Sequence, residues 1–217
     1  RVVAVARSRT AGVVARLGMT LPPMGDWRFG EPITRLSECL ERGGAIVFPT
    51  ESSYGLGVDP RNVAGVEAIY RFKERERGKP LPVVIADLDQ LSLLGIEADD
   101  ALLRRVAPHW PAPLTAVLPT RDDLPAGAGT RTLAVRIPRH EALRQLLRDL
   151  GHPLTATSAN PSGGAPWLDV EEVRTGLGGV DWVLVHGGRL PGGAPSTVVS
   201  AEGVLREGAF RWPQESR

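Results

Sequence analysis

Four stretches of this 217-residue sequence carry polar side chains where a plain scaffold needs none. Thr50-Glu51-Ser52-Ser53-Tyr54-Gly55-Leu56-Gly57 follows a short apolar run. Its hydroxyls and glycines suit close backbone approach and hydrogen bonds to a small polar ligand. Arg71–Lys79 sets five basic residues against two acids, a local charge of 5 − 2 = +3. Lys73 and Arg75 within it are able to grip phosphate, one as a compact point charge and the other as a planar fork. Thr155-Ala156-Thr157-Ser158-Ala159-Asn160-Pro161-Ser162-Gly163-Gly164 packs hydroxyls and an amide into a Gly/Pro loop. Such loops offer side-chain oxygens and free backbone N–H groups to anions. Pro195-Ser196-Thr197-Val198-Val199 enters a strand through hydroxyls in the same manner. Taken alone, each stretch also reads as an ordinary turn, cap or solvated helix end.

Familiar nucleotide and metal signatures are missing. There is no GxxxxGK[ST], no GxGxxG after a strand, no Cys/His set with zinc spacing and no GxSxG elbow. His109, His140, His152 and His186 lack metal-ligand spacing and read as structural or surface residues. The chemistry on offer is therefore hydroxyls and basic groups without a standard nucleotide motif.

Those stretches need elements to hold them, and strand and helix patterns alternate along the chain. Strands are expected at Ala45–Pro49, Leu81–Ala86, Leu114–Leu118, Thr132–Ile137, Leu154–Thr157, Trp182–Val185, Thr197–Ser200 and Val204–Leu205. Helical spacing marks Ile33–Leu40, a segment capped by Asn62 and running to Phe72, Asp99–Ala107, His140–Leu150 and Val170–Thr175. The reading is an α/β or α+β single domain around one twisted mixed sheet with flanking helices. Residues 1–30 read as an N-terminal extension opening with a strand at Val2–Ala6, and 31–217 as the folded domain. From Arg1 to Gly25 there are four arginines (Arg1, Arg7, Arg9, Arg16) and no acid, a composition that also resembles a transit peptide.

Bulk properties narrow the function class. Net charge is +1, so any anion site is local. A hydrophobic share of 42% and a charged share of 24% are those of a globular chain. The lone Cys39 excludes an intramolecular disulfide and suits a reducing cytosol, so a cytoplasmic location is expected. No apolar stretch approaches the ~20 residues of a transmembrane helix.

In their order along the chain, the motifs FPTESSYGLG, KERERGKPLPVVI, WPAPLT, LAVRIPRH, TATSANPSG, PSTVV and LREG resemble the YrdC-like family, the L-threonylcarbamoyladenylate synthases. The similarity runs from about Glu31 to Gly208. It implies a twisted, mostly parallel α/β sheet with a deep basic concave face in which ATP and L-threonine meet. It further implies that bicarbonate is consumed, that Mg²⁺ rides on the phosphates with no metal ligand from protein side chains, and that the product serves tRNA modification through a downstream threonylcarbamoyl transferase. Position by position, Lys73 and Arg75 match the family's Lys-x-Arg and would form the catalytic pair holding the triphosphate. Lys79, Thr115, Ser158, Asn160 and Arg206 match further ATP-binding positions, while Ser52, Tyr54, Arg136, Ala156 and Ser196 match those around the threonine.

The chain departs from the family pattern in places. Ser52 stands where Thr is usual, Ala112 where Gly is usual, and Val84 near where some members carry a His. Glu74 and Glu76 sit among the phosphate-binding basics. An RNA-binding module using the same basic concavity is the alternative, though near-neutral charge and few aromatics speak against it. A relative that activates carbamoyl phosphate is a third reading.

Overall fold

A computed structural model describes residues 25–178 and 181–213. The expected strand at Val2–Ala6 and most of the expected extension lie outside these residues. Asp26–Trp27, assigned to that extension from sequence, forms strand β1 and pairs in parallel with β9 (Trp182–Val185), so the folded unit reaches back before residue 31.

Helix α1 (Thr34–Glu41) buries Leu36, Cys39 and Leu40, the face its spacing predicts. Burial lifts the Cys39 thiol to about 11, aided by the Asp181 carboxylate, which leaves it an inert core residue. Next comes β2 (Ala45–Pro49), buried along its whole length. Its side chains alternate between two core layers: Ala45 and Val47 face one, Ile46 and Phe48 the other. Antiparallel to it runs β3 (Tyr54–Gly57), a segment read from sequence as loop.

Asn62 caps α2 (Val63–Lys73) as expected, its side-chain oxygen accepting from Gly65 N at 3.1 Å. Then follow β4 (Val83–Val84), a 3₁₀ turn over Leu88–Leu94, α3 (Ala101–Val106), β5 (Leu114–Pro119) and β6 (Thr132–Arg136). Helix α4 (Glu141–Leu150) ends on Gly151, whose φ of 73° is the left-handed cap that glycine adopts without strain. After β7 (Leu154–Thr155) and β8 (Thr157–Ser158) come α5 (Val170–Gly176), β10 (Thr197–Ser200) and β11 (Gly203–Arg206).

The α/β class and the single domain stand, but one sheet becomes two. Strands β1-β9-β2-β3-β8 form a five-stranded sheet, and β11-β10-β5-β6-β4-β7 a six-stranded one. Both are mixed, with antiparallel pairs such as β5–β6 beside parallel ones such as β4–β6. The sequence is read as one strand at Leu154–Thr157, but the chain changes sheet in the middle of it. Leu154 and Thr155 pair with β4, Thr157 and Ser158 with β3, and Ala156 is the step between. At this seam Val58 and Thr155 exchange hydrogen bonds of 3.0 and 2.9 Å. Gly57 permits the approach: a Cβ there would lie 2.3 Å from the Thr155 carbonyl. Among the described residues no helix is long and apolar enough to cross a membrane.

Candidate active site

Where the sheets diverge from that seam they enclose a cavity of about 1000 Å³. Of the twelve residues named from sequence, nine line it: Ser52, Tyr54, Arg75, Thr115, Arg136, Ala156, Ser158, Ser196 and Arg206. Lys73 and Asn160 lie behind its wall, and Lys79 lies off it.

The turn leaving β2 is self-braced. Thr50 Oγ1 donates to Ser53 O at 2.7 Å, which turns Ser52 toward the cavity. Tyr54 is fully buried, and its hydroxyl is already committed. It donates to Gly188 O at 2.8 Å and accepts from Gly187 N at 3.1 Å, so it pins the 187–188 loop.

The basic segment divides its labour by backbone geometry. Lys73 is the last residue of α2 and turns inward, 4% exposed. Its ammonium donates to Ser158 O at 2.8 Å, to Ser158 Oγ at 3.2 Å and to Asn160 O. Glu74 then takes the left-handed conformation at φ 47°, and the chain leaves the helix axis there. Arg75 beyond it lines the cavity and donates to Pro80 O at 2.9 Å. Burial and then the Arg75 charge push Lys73 down to about 8. Lys79 instead pairs with Glu76 at 2.8 Å on the surface.

Asn160 is likewise built into the wall. Its Nδ2 donates to Pro161 O and Gly164 O, both at 2.8 Å, which fixes the amide orientation. Oδ1 is left as a buried acceptor without a partner. An acceptor cannot bind a phosphate oxygen; it suits a ribose hydroxyl, an amine or a water.

On the six-stranded sheet, Thr115 Oγ1 and Ser196 Oγ are 2.8 Å apart, brought together because β5 and β10 pair in parallel. Arg206, at the end of β11, donates to Ser196 O at 2.8 Å. Burial, and then Arg136, lowers the Arg206 pKa; two guanidiniums in one concavity favour an anion between them.

Sequence reasoning assigned no role to Glu51 or Arg139, both of which line the cavity. Glu51 Oε2 accepts from Arg136 Nη1 at 3.1 Å, and Oε1 from Arg139 N. Glu51 belonged to a quoted motif, but its partner is 85 positions away and no local signal links them. The cavity therefore carries Arg75, Arg136, Arg139 and Arg206 against one carboxylate.

Comparison with known proteins agrees with this architecture. Residues 38–208 match the Sua5/YciO/YrdC family, described as "Telomere recombination". A threonylcarbamoyl-AMP synthase of Idiomarina loihiensis is 40% identical over 148 residues, covering 65% of this chain and 78% of that protein. One from Bacillus subtilis is 36% identical over 77% of this chain, but the chain spans only 49% of its length. The crystal structure of P. abyssi Sua5 complexed with L-threonine superposes with a TM-score of 0.73 at 29% identity, over 87% of this chain and 58% of that one. Sequence, fold and motif order coincide over the same span, and the chain belongs to the Sua5/YciO/YrdC family.

Proposed function

We propose that the chain is a threonylcarbamoyl-AMP synthase, forming L-threonylcarbamoyl-AMP and pyrophosphate from L-threonine, bicarbonate and ATP. The observation that carries this reading is the convergence of Arg75, Arg136, Arg206, Ser52, Thr115, Ser158 and Ser196 on one cavity of about 1000 Å³. That volume stands at the upper end for small-molecule sites and suits a nucleotide beside an amino acid. A relative of matching fold binds L-threonine, which favours the synthase over the RNA-binding alternative.

The threonine amine adds to bicarbonate, losing water, to give a carbamate. A carbamate oxygen then attacks the α-phosphorus of ATP, and the bond to pyrophosphate breaks. Such a step needs alignment and charge neutralisation more than a protein nucleophile. Arg75 and Arg206 face the phosphates, with Ser158 held on the same cavity wall by the Lys73 ammonium behind it. Lys73 thus acts through the Ser158–Asn160 loop as well as through its charge. Thr115 completes the nucleotide side, and Asn160 supports it from behind the wall, its amide bracing the loop through Pro161 O and Gly164 O. Ser52, Arg136, Ala156 and Ser196 seat the amino acid. Tyr54 supports that subsite from behind, since its hydroxyl is taken. Lys79 reaches ATP only by leaving Glu76.

Among the described residues no three His, Cys, Asp or Glu side chains form a metal-binding group. Glu51, the one carboxylate among the described residues that line the cavity, is held by Arg136 and Arg139. The donor set fits Mg²⁺ carried by the phosphates, where it neutralises their charge. The product is a reactive mixed anhydride, so a transferase acting on tRNA in the cytoplasm is the natural consumer.

The test is to incubate the purified chain with ATP, bicarbonate and one amino acid at a time, and to measure pyrophosphate. Release should require threonine and bicarbonate together. Release indifferent to the amino acid, or restored by carbamoyl phosphate alone, would refute the proposal.

A further inference from the structure

The geometry points to Glu51 as a positioning residue that sets the amino-acid subsite and its selectivity, and this rests on the threonine-activating reading above. Glu51 leaves the end of β2 in the five-stranded sheet, whereas Arg136 ends β6 in the six-stranded one. Their 3.1 Å ion pair therefore spans the two walls of the cavity. Both partners are mostly buried, with side chains 22% and 16% exposed, so the pair is shielded from the screening that weakens surface pairs.

Two consequences follow. Ser52 is the next residue after Glu51, so the ion pair fixes the separation between the Ser52 hydroxyl and the Arg136 guanidinium. Both groups are assigned to the seat of the same small amino acid. A change in their spacing alters which amino acid fits. Moreover, Glu51 engages only Nη1 of Arg136, and the other guanidinium nitrogens have no hydrogen-bond partner among the described residues. A long arginine stem is flexible; anchoring one nitrogen aims the rest of the planar fork into the cavity.

Glu51 is also anchored from its other oxygen. The Arg139 backbone N–H donates to Oε1, tying the same carboxylate to the loop that leads into α4. Its negative charge offsets the repulsion between Arg136 and Arg206. Burial raises the Glu51 pKa, but Arg136 and the backbone donors outweigh it and hold the carboxyl below its usual range. It is ionised at neutral pH and a poor proton acceptor, which suits an anchor better than a base.

The experiment uses the full chain in the pyrophosphate assay with threonine and ATP varied separately. Glu51→Gln keeps the size but removes the charge. Its KM for threonine should rise about tenfold, the effect of one charge-assisted bond, with KM for ATP within about twofold of wild type. Discrimination between threonine and serine should narrow. In an Arg136→Gln background, adding Glu51→Gln should change threonine KM less than about twofold, because the two act as one unit. Arg136→Lys, which keeps the charge and loses the fork, is the second variant and should show the same selective rise. Wild-type threonine KM in Glu51→Gln or in Arg136→Lys, equal rises for both substrates, or additive effects in the double variant would overturn the inference. Wild-type protein without threonine-dependent release would instead sink the functional reading itself, and this inference with it.

Discussion

Replacing Lys73 with Met tests whether one ammonium does two things, bracing a loop and charging the phosphate site. Met has similar length and no charge, so the packing volume is nearly kept. Two terms oppose each other. Burial lowers Lys73 from 10.5 to about 8. That shift penalises the charged form by about 3 kcal/mol, which Met relieves. Against this, Met strands Ser158 O and Asn160 O and removes the donor to Ser158 Oγ. Three bonds to a charged donor are lost, at about 1.5–3 kcal/mol each or roughly 5–9 kcal/mol together. The loss outweighs the relief by about 2–6 kcal/mol, a fall in Tm of at least roughly 4 °C for a chain of this size.

The pH dependence gives the same reasoning a sign. A lysine with a folded pKa of about 8 and an ordinary value of 10.5 binds fewer protons folded than unfolded between those limits. Wild-type stability should therefore rise relative to Lys73→Met as pH goes from 8 to 10.5, by up to about 1.4 kcal/mol per unit. Over the same window ATP affinity should fall, because the charge behind Ser158 is being lost. Thermal melts and ATP titrations at pH 7.5 and 9.5 measure both. A Lys73→Met protein that melts with wild type would refute the bracing role. Wild-type ATP affinity at both pH values would refute the electrostatic one.

Arg75→Ala should separate catalysis from folding. Its side chain is half-exposed and bonds to carbonyls near the surface, so stability should drop by less than about 1 kcal/mol, while kcat/KM for ATP falls about 10–100-fold. Melting and steady-state kinetics on the same preparation check it. Gly57→Ala addresses the seam: the new Cβ would meet the Thr155 carbonyl at 2.3 Å and the Phe48 ring at 2.7 Å. Denaturant unfolding should show a loss of about 1–3 kcal/mol or more, with activity per folded molecule reduced because the sheets are forced apart.

Helices and motif segments were legible from sequence because their signals are local. Asn62 opens α2 and Gly151 closes α4 through caps written in residue type. The hydroxyl and basic segments stood out by composition, and most of them share the cavity wall. The rest depended on tertiary structure. Strand β3 hid because Gly55 and Gly57 weaken strand propensity, yet the tight seam requires a glycine at position 57. The switch of sheets at Ala156 left no trace, since two-residue strands have no period to detect. Glu51 and Lys73 misled for the same reason: their partners lie 85 to 88 positions away.

Those illegible features are what make the site two-sided. With one continuous sheet, Ser52 and Arg136 would share a surface, and local strand geometry would set their distance. With two sheets joined at Ala156, that distance becomes adjustable, and something must fix it. Gly57 fixes it at the closed end, by letting β3 and β7 touch. The Glu51–Arg136 pair fixes it at the open end, and the Lys73 ammonium ties α2 to the loop that follows β8. A substitution of Gly57, Glu51 or Lys73 should therefore alter the fit of substrates without removing a group that touches them.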